Sequence, residues 1–270
     1  MSNPLVRRGL NEGIRAGQTQ NRIPAPSAQD LQSMYEAPSY QPQQSASDRV
    51  LTYDDVLMKS GMTFAVLLAG AVLGWVVPLL AFPAMLVGLV LGLVVAFKKE
   101  PSPPLILAYA VVQGAFLGGI SKSFETMYDG IVMQAVLGTL SVFLVMFALF
   151  KFRVIRMSPG FMKFLILAVG GYAVFSLVNF GFAMFSGGQM NARTMEISVM
   201  GIEMPLGVLI SGAAVVLAAL SLVGDFHMIE EGVKHRIPEK YSWICAFSLM
   251  VTLIWLYVEI LRLLSYFRQD

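Results

Sequence analysis

From Gly61 to Phe267 the chain is a succession of apolar runs, and this limits its fold more than any other feature. A helix needs about 20 apolar residues to cross a bilayer. The first run, MTFAVLLAGAVLGWVVPLLAFPAMLVGLVLGLVVAF, is too long for one crossing. Pro78 and Pro83 divide it, which predicts a hairpin of two spans with a very short connection. The third run, LILAYAVVQGAFLGGIS, follows Pro103 and Pro104; the fourth is GIVMQAVLGTLSVFLVMFALF. FMKFLILAVGGYAVFSLVNFGFAMF, PLGVLISGAAVVLAALSLVGD and SWICAFSLMVTLIWLYVEILRLLSYF complete the set. Seven spans are predicted, the second and third shortest. Backbone groups in hydrocarbon must be satisfied within their own segment, and the alternating polarity of a membrane barrel is absent. The expected fold is therefore an all-α membrane protein with seven transmembrane helices. With 13% charged residues against about 25% in soluble domains, the composition agrees.

Residues 1–48 differ. RIPAPSAQDLQSMYEAPSYQPQQSASD is rich in Gln, Ser, Pro and Ala and cannot bury enough apolar surface to offset its ordering entropy. It is expected to be a disordered cytoplasmic tail, with at most a short helix around LVRRGLNEGI, ahead of a membrane domain at 49–270. MSNPLVRRGLNEGIRAG has no apolar core of a cleavable signal, so the first span is expected to act as the insertion signal. A net charge of +2 gives no reason to expect a nucleic-acid partner. Cys245, the single cysteine, cannot form an internal disulfide and reads as a small packing residue. The 17 methionines are scattered, which fits packing rather than a soft-metal site, and no cofactor is expected. Trp75, Trp243 and Trp255 are expected at interfaces or in helix packing. Glycines within the spans, as in GAFLGG, let helix backbones approach closely.

Lysine and arginine in the connections set the orientation. Arg49 and Lys59 precede or open the first span, and Lys98 and Lys99 follow the second. Lys151, Arg153 and Arg156 follow the fourth; Lys234, Arg236 and Lys240 lie between the last two. The intervening connections are poorer: Lys122 is set against Glu125 and Asp129, and Arg193 against Glu196 and Glu203. The N-terminus is expected in the cytoplasm and the C-terminus outside, in the inner membrane of a bacterium.

Few ionisable groups lie well inside the spans: Asp225, where the sixth run turns polar, and Glu259 with Arg262 in the seventh. A charge at the centre of a membrane helix costs about 2.5–3.5 kcal/mol on insertion scales, so these groups should face the bundle interior and find partners. Glu259 and Arg262, three apart, share a helix face and could neutralise each other; Arg262 could instead snorkel to the interface. Asp225 adds a second carboxylate from the neighbouring helix. Two carboxylates in a dry space titrate as a coupled pair, able to hold a proton or to bind a hard cation through oxygen.

SLVGDFHMI and LYVEILRLL resemble the last two helices of the Bax inhibitor family, the transmembrane Bax-inhibitor-motif proteins. QGAFLGGISKSFE followed by GIVMQAVLGT is similar to its bacterial branch, and the resemblance covers about Leu51 to Phe267. It implies seven helices with the last enclosed by the other six. It also implies a carboxylate pair between the sixth and seventh helices that senses pH in a calcium leak. The sixth-helix member falls on Asp225; the seventh-helix member, usually Asp, falls on Glu259. The position three residues later, often Asn in relatives, holds Arg262, and Gln113 stands where close relatives tend to have Glu. A permanent cation beside the pair would favour its ionised form and repel calcium. A simple hairpin between the last two helices leaves Glu259 several ångströms nearer the outer side than Asp225, at about 1.5 Å per residue, unless tilt, Arg262 or water closes the gap.

His227 lies two residues after Asp225 and His235 in the basic connection; both read more simply as polar interface groups than as a pH input. Glu230 and Glu231 read as a solvated face, or as collectors of cations at a cytoplasmic mouth. The expected function is a pH-sensitive cation leak, with calcium or protons passing near Asp225 and Glu259. The alternative is a non-transporting regulator that binds a membrane protease or another membrane complex, with the tail in recruitment; membrane lipid is the common partner. An aspartyl intramembrane protease needs Gly two residues before the Gly-Asp step, where this chain has Leu222, and no zinc-protease or serine-hydrolase motif appears. The chain is not expected to be an enzyme.

Overall fold

The computed structural model describes residues 49–187, 191–199 and 202–268; the predicted tail and its short helix lie outside the described residues. Among the described residues seven helices are long and apolar enough to cross a membrane. They are α1 (Tyr53–Val76), α2 (Ala81–Phe97), α3 (Pro103–Met127), α4 (Ile131–Lys151), α5 (Pro159–Phe185), α6 (Leu206–Lys234) and α7 (Ser242–Tyr266). α1 starts at a capping box: the Thr52 side chain accepts from the Asp55 backbone N–H, and Asp55 accepts from that of Thr52. Between α1 and α2 the chain makes one 3-10 turn at Pro78–Leu80. Pro78 marks the break, but Pro83 lies inside the first turn of α2, where an N–H has no helical partner to lose. The expectation that the third span is short is corrected. The more polar segment KSFETM continues the helix after its apolar run, so α3 is 25 residues long.

α1 and α3 pack backbone to backbone. GAVLG (Gly70, Gly74) faces GAFLG (Gly114, Gly118), and a Cβ at any of the four would overlap backbone of the opposing helix. Small residues four apart permit this approach in a membrane, where the hydrophobic effect does not drive helices together. α7 is the most buried span and α5 the least, with only Leu165 of α5 buried. α7 packs against α1, α3, α4 and α6, and meets α5 through the Tyr172–Trp255 ring stack. The last helix is thus enclosed by the others.

The helices alternate in direction, and each end of the bundle is tied off. At one end the basic connections meet. Lys59 bonds Glu239 at 2.9 Å and Ser242 at 2.7 Å, Lys240 pairs with Glu100 at 2.5 Å, and Leu51 N–H donates to Ile237 O. At the other end an antiparallel hairpin, β1 (Glu196–Val199) with β2 (Ile202–Pro205), joins α5 to α6. There Arg268 donates to the Asp129 carbonyl at 2.6 Å, tying the end of α7 to the α3–α4 connection. These are called the basic end and the hairpin end below.

Candidate functional site

One stripe of α7 carries the polar groups. Ser248, Thr252, Trp255, Glu259 and Arg262 recur at steps of four, three, four and three, a single helix face. α6 runs antiparallel to it, so Asp225 comes level with Ser248, near the basic end, while Ser211 comes level with Glu259, near the hairpin end.

At the Glu259 level the carboxylate is 3% exposed and ringed by donors. Arg193 NH1 reaches Oε2 at 3.3 Å and NH2 reaches Oε1 at 3.4 Å; Arg262 NH1 donates to Oε1 at 2.6 Å. The Tyr172 hydroxyl donates to Oε1 and accepts from Arg193 at 2.7 Å. Arg193 also donates to Ser211 at 3.0 Å. Arg193 comes from the 3-10 turn Ala192–Thr194 between α5 and β1. Asn179 of α5 fixes that turn, accepting from the Ala192 N–H at 2.8 Å and donating to Asn191 at 3.0 Å. Burial works against the Arg193 charge, but Glu259 and Tyr172 more than offset it and hold its pKa above the ordinary arginine value. One anion against two guanidiniums leaves the cluster net positive. It is a poor place for a cation and a good plug against one.

At the Asp225 level the chemistry differs. Asp225 is 7% exposed, its Oδ1 accepts from the Ser248 hydroxyl, and the Thr252 hydroxyl faces it. Oδ2 has no partner among the described residues, and no ion pair forms there. A cavity of about 510 Å³ enters from the basic end between α2, α3 and α7. Lys98, Lys99 and Tyr241 line its mouth, and Ser248 and Thr252 lie in its wall. Among the described residues no three His, Cys, Asp or Glu side chains converge to hold a metal ion. One carboxylate and two hydroxyls also fall short of the six to eight oxygens that calcium takes, so this level suits a passing cation or proton better than a resident ion.

Asp225 and Glu259 do not meet. Ser248 and Thr252, which Asp225 faces, lie two to three turns before Glu259, on the order of 10–16 Å along the axis. The carboxylate pair implied by the resemblance is therefore not formed. α6 keeps its helix through Lys234 before turning, which brings Asp225 level with the first half of α7. Arg262 stays on Glu259 and neither bridges to Asp225 nor leaves for the interface.

The expected mouth residues are dispersed. His227, Glu231 and His235 line a separate cavity of about 460 Å³ with Gly224 and Met162. Glu231 pairs with Lys234 at 3.1 Å and with His235 Nδ1 at 3.3 Å. Glu230 is half-buried and outside that cavity. Gln113 lies against Gly88 of α2.

Sequence reading passed over Arg193, Tyr172, Ser248 and Thr252. Two signals were present. Tyr172, Ser176 and Asn179 form a polar stripe on an apolar helix, and Ser248 and Thr252 extend the Glu259–Arg262 face by periodicity. Nothing local marked Arg193, which reads as an ordinary loop charge.

Among curated proteins no match to the chain is found. The family model described as Bax inhibitor 1 like matches residues 3–269, nearly the whole length, and its members are multi-pass membrane proteins. A seven-helix bundle with a buried acid on each of its last two helices, matched from end to end by that model, belongs to the Bax inhibitor 1 like family.

Proposed function

We propose that the chain forms a pH-sensitive cation leak, calcium being the ion the family resemblance implies, in the inner membrane of a bacterium with the basic end in the cytoplasm. The observation that carries this reading is Asp225: buried, without a cationic partner among the described residues, and bonded to Ser248, which lies in the wall of the cavity that enters from the basic end. In this reading Asp225 is the station that a proton or cation occupies, and Ser248 and Thr252 pass it on. The Arg193–Glu259–Arg262–Tyr172 cluster is the closure beyond it. Gating then resides in two separate levels, an acid that titrates and an ion-paired plug that must part. Ionised Asp225 attracts cations and protonated Asp225 does not, so flux should rise with pH. Calcium efflux from liposomes across a pH series tests this. Asp225→Asn should abolish the pH dependence; an unchanged profile would sink the proposal. Clustering of the basic connections at one end supports the orientation.

A second reading is a non-transporting regulator of another membrane protein. α5 favours it, since most of its apolar side chains stay exposed among the described residues. Deleting residues 1–48 should then lose a co-purifying membrane partner, whereas a leak should survive that deletion.

A further inference from the structure

An apolar crevice of about 450 Å³ runs along the outside of the bundle toward the hairpin end. α1 and α4 form its sides, and α3 and α7 its floor. On α1 it is lined from Phe64 to Trp75, eleven residue steps and about 16 Å of helix rise. Half of a hydrocarbon core about 30 Å thick is about 15 Å, so the crevice spans one leaflet. Its rim residues Leu68, Val72 and Leu140 are 62%, 64% and 51% exposed. On a spanning helix that surface meets lipid.

The hydroxyl groups that line the crevice are already satisfied. Ser121 and Tyr257 bond each other at 2.6 Å, and Thr139 donates to the Ala135 carbonyl at 2.7 Å. The crevice therefore has little to offer water and presents a wall for hydrocarbon. At its hairpin end the Lys122 ammonium lies 5.1 Å from the Trp75 ring centroid, and both residues are near their helix ends, at headgroup depth. Lys122 makes no ion pair among the described residues. Its acidic neighbour Glu125 is engaged elsewhere, accepting from the Gly130 and Val132 backbone N–H groups at 2.8 and 3.0 Å.

We propose that this crevice holds one acyl chain of a membrane phospholipid whose phosphate is bound by Lys122. The match of length to one leaflet, the dry floor and the unpaired ammonium at headgroup depth together select this occupant. The α7 part of the floor, Leu253 to Tyr257, lies between the Asp225 and Glu259 levels, so the chain would brace the segment that separates them. This inference does not depend on ion conduction.

The test is lipid retention by the full-length protein, purified in detergent, washed, and measured by quantitative mass spectrometry. Wild type should keep about one phospholipid per chain. Val136→Trp and Leu140→Trp, which fill the crevice from α4, should lower retention at least fivefold. Lys122→Gln should lower it severalfold while leaving the crevice open. Leu167→Trp is the control, on an α5 position 76% exposed and outside the crevice, and should change nothing. Each variant must elute as a monodisperse peak, and whichever of the two filling variants does so decides the result. No retained phospholipid, free exchange of detergent into the crevice, or equal losses in Leu167→Trp and Leu140→Trp would overturn the proposal. So would a dimer that covers the crevice in place of lipid.

Discussion

Asp225 and Glu259 are buried to similar depth, at 7% and 3% exposure, in one seam of one bundle, yet the chain surrounds them in opposite ways. Among the described residues Glu259 is given two guanidiniums and a phenol, and Asp225 hydroxyls alone. Ion-paired burial is costly to disturb, because removing one partner strands the other's charge. An acid held by neutral hydroxyls can take up a proton without leaving a partner's charge unpaired. The contrast teaches that burial alone does not make a sensor. The partners decide whether a buried acid is a fastening or a titratable station.

The sharpest way to break this contrast is Glu259→Gln. It leaves Arg193 and Arg262 facing each other without their anion. We expect a loss of about 3–5 kcal/mol, read as a fall in thermal stability in detergent. A loss no larger than that of an average surface change would mean that the cluster does not hold the hairpin end together.

Arg193→Gln comes next. Glu259 keeps Arg262 and Tyr172, so the expected cost is smaller, about 2–3 kcal/mol. In the double variant with Glu259→Gln the two losses should not add, with a coupling of about 1–3 kcal/mol. Strict additivity would mean that the 3.3 Å pair contributes nothing as a pair.

The seven spans were legible because hydropathy reports them directly, and the basic connections because they recur at every second connection and so fall at one end. Both buried acids were legible for the same reason, as charges in runs that otherwise contain almost none. Their separation was foreseeable from helix rise, and the structure resolves that geometry in favour of two levels. The partners were harder to see. Arg193 lies 66 residues before Glu259, on a connection, and reaches the seam because Asn179 pins its turn against α5. No local pattern encodes that arrangement. Ser248 and Thr252 were written in the period of α7 but carry no charge, and the search for charges passed them by.

A smaller effect, on the other side of the contrast, is expected from Ser248→Ala. It removes the donor to Asp225 Oδ1 and should cost about 1–2 kcal/mol. If the proposed leak operates, cation flux in liposomes should shift its pH midpoint while remaining measurable, because Thr252 still faces the carboxyl. A variant with unchanged midpoint would detach the cavity wall from the titrating group.

The smallest effect on stability is expected from Asp225→Asn, and it discriminates best. Asn keeps the shape and the Oδ1 acceptor for Ser248, and places its amide where Oδ2 had no partner, close to Thr252. No cation is left behind, because none among the described residues pairs with Asp225. The expected change is below about 1 kcal/mol, against several for the equivalent amide at Glu259. Thermal unfolding of both variants in the same detergent measures the ratio. If Asp225→Asn proved as damaging as Glu259→Gln, Asp225 would be fastened by an ionic partner as Glu259 is, and a titratable station on α6 would have no physical basis.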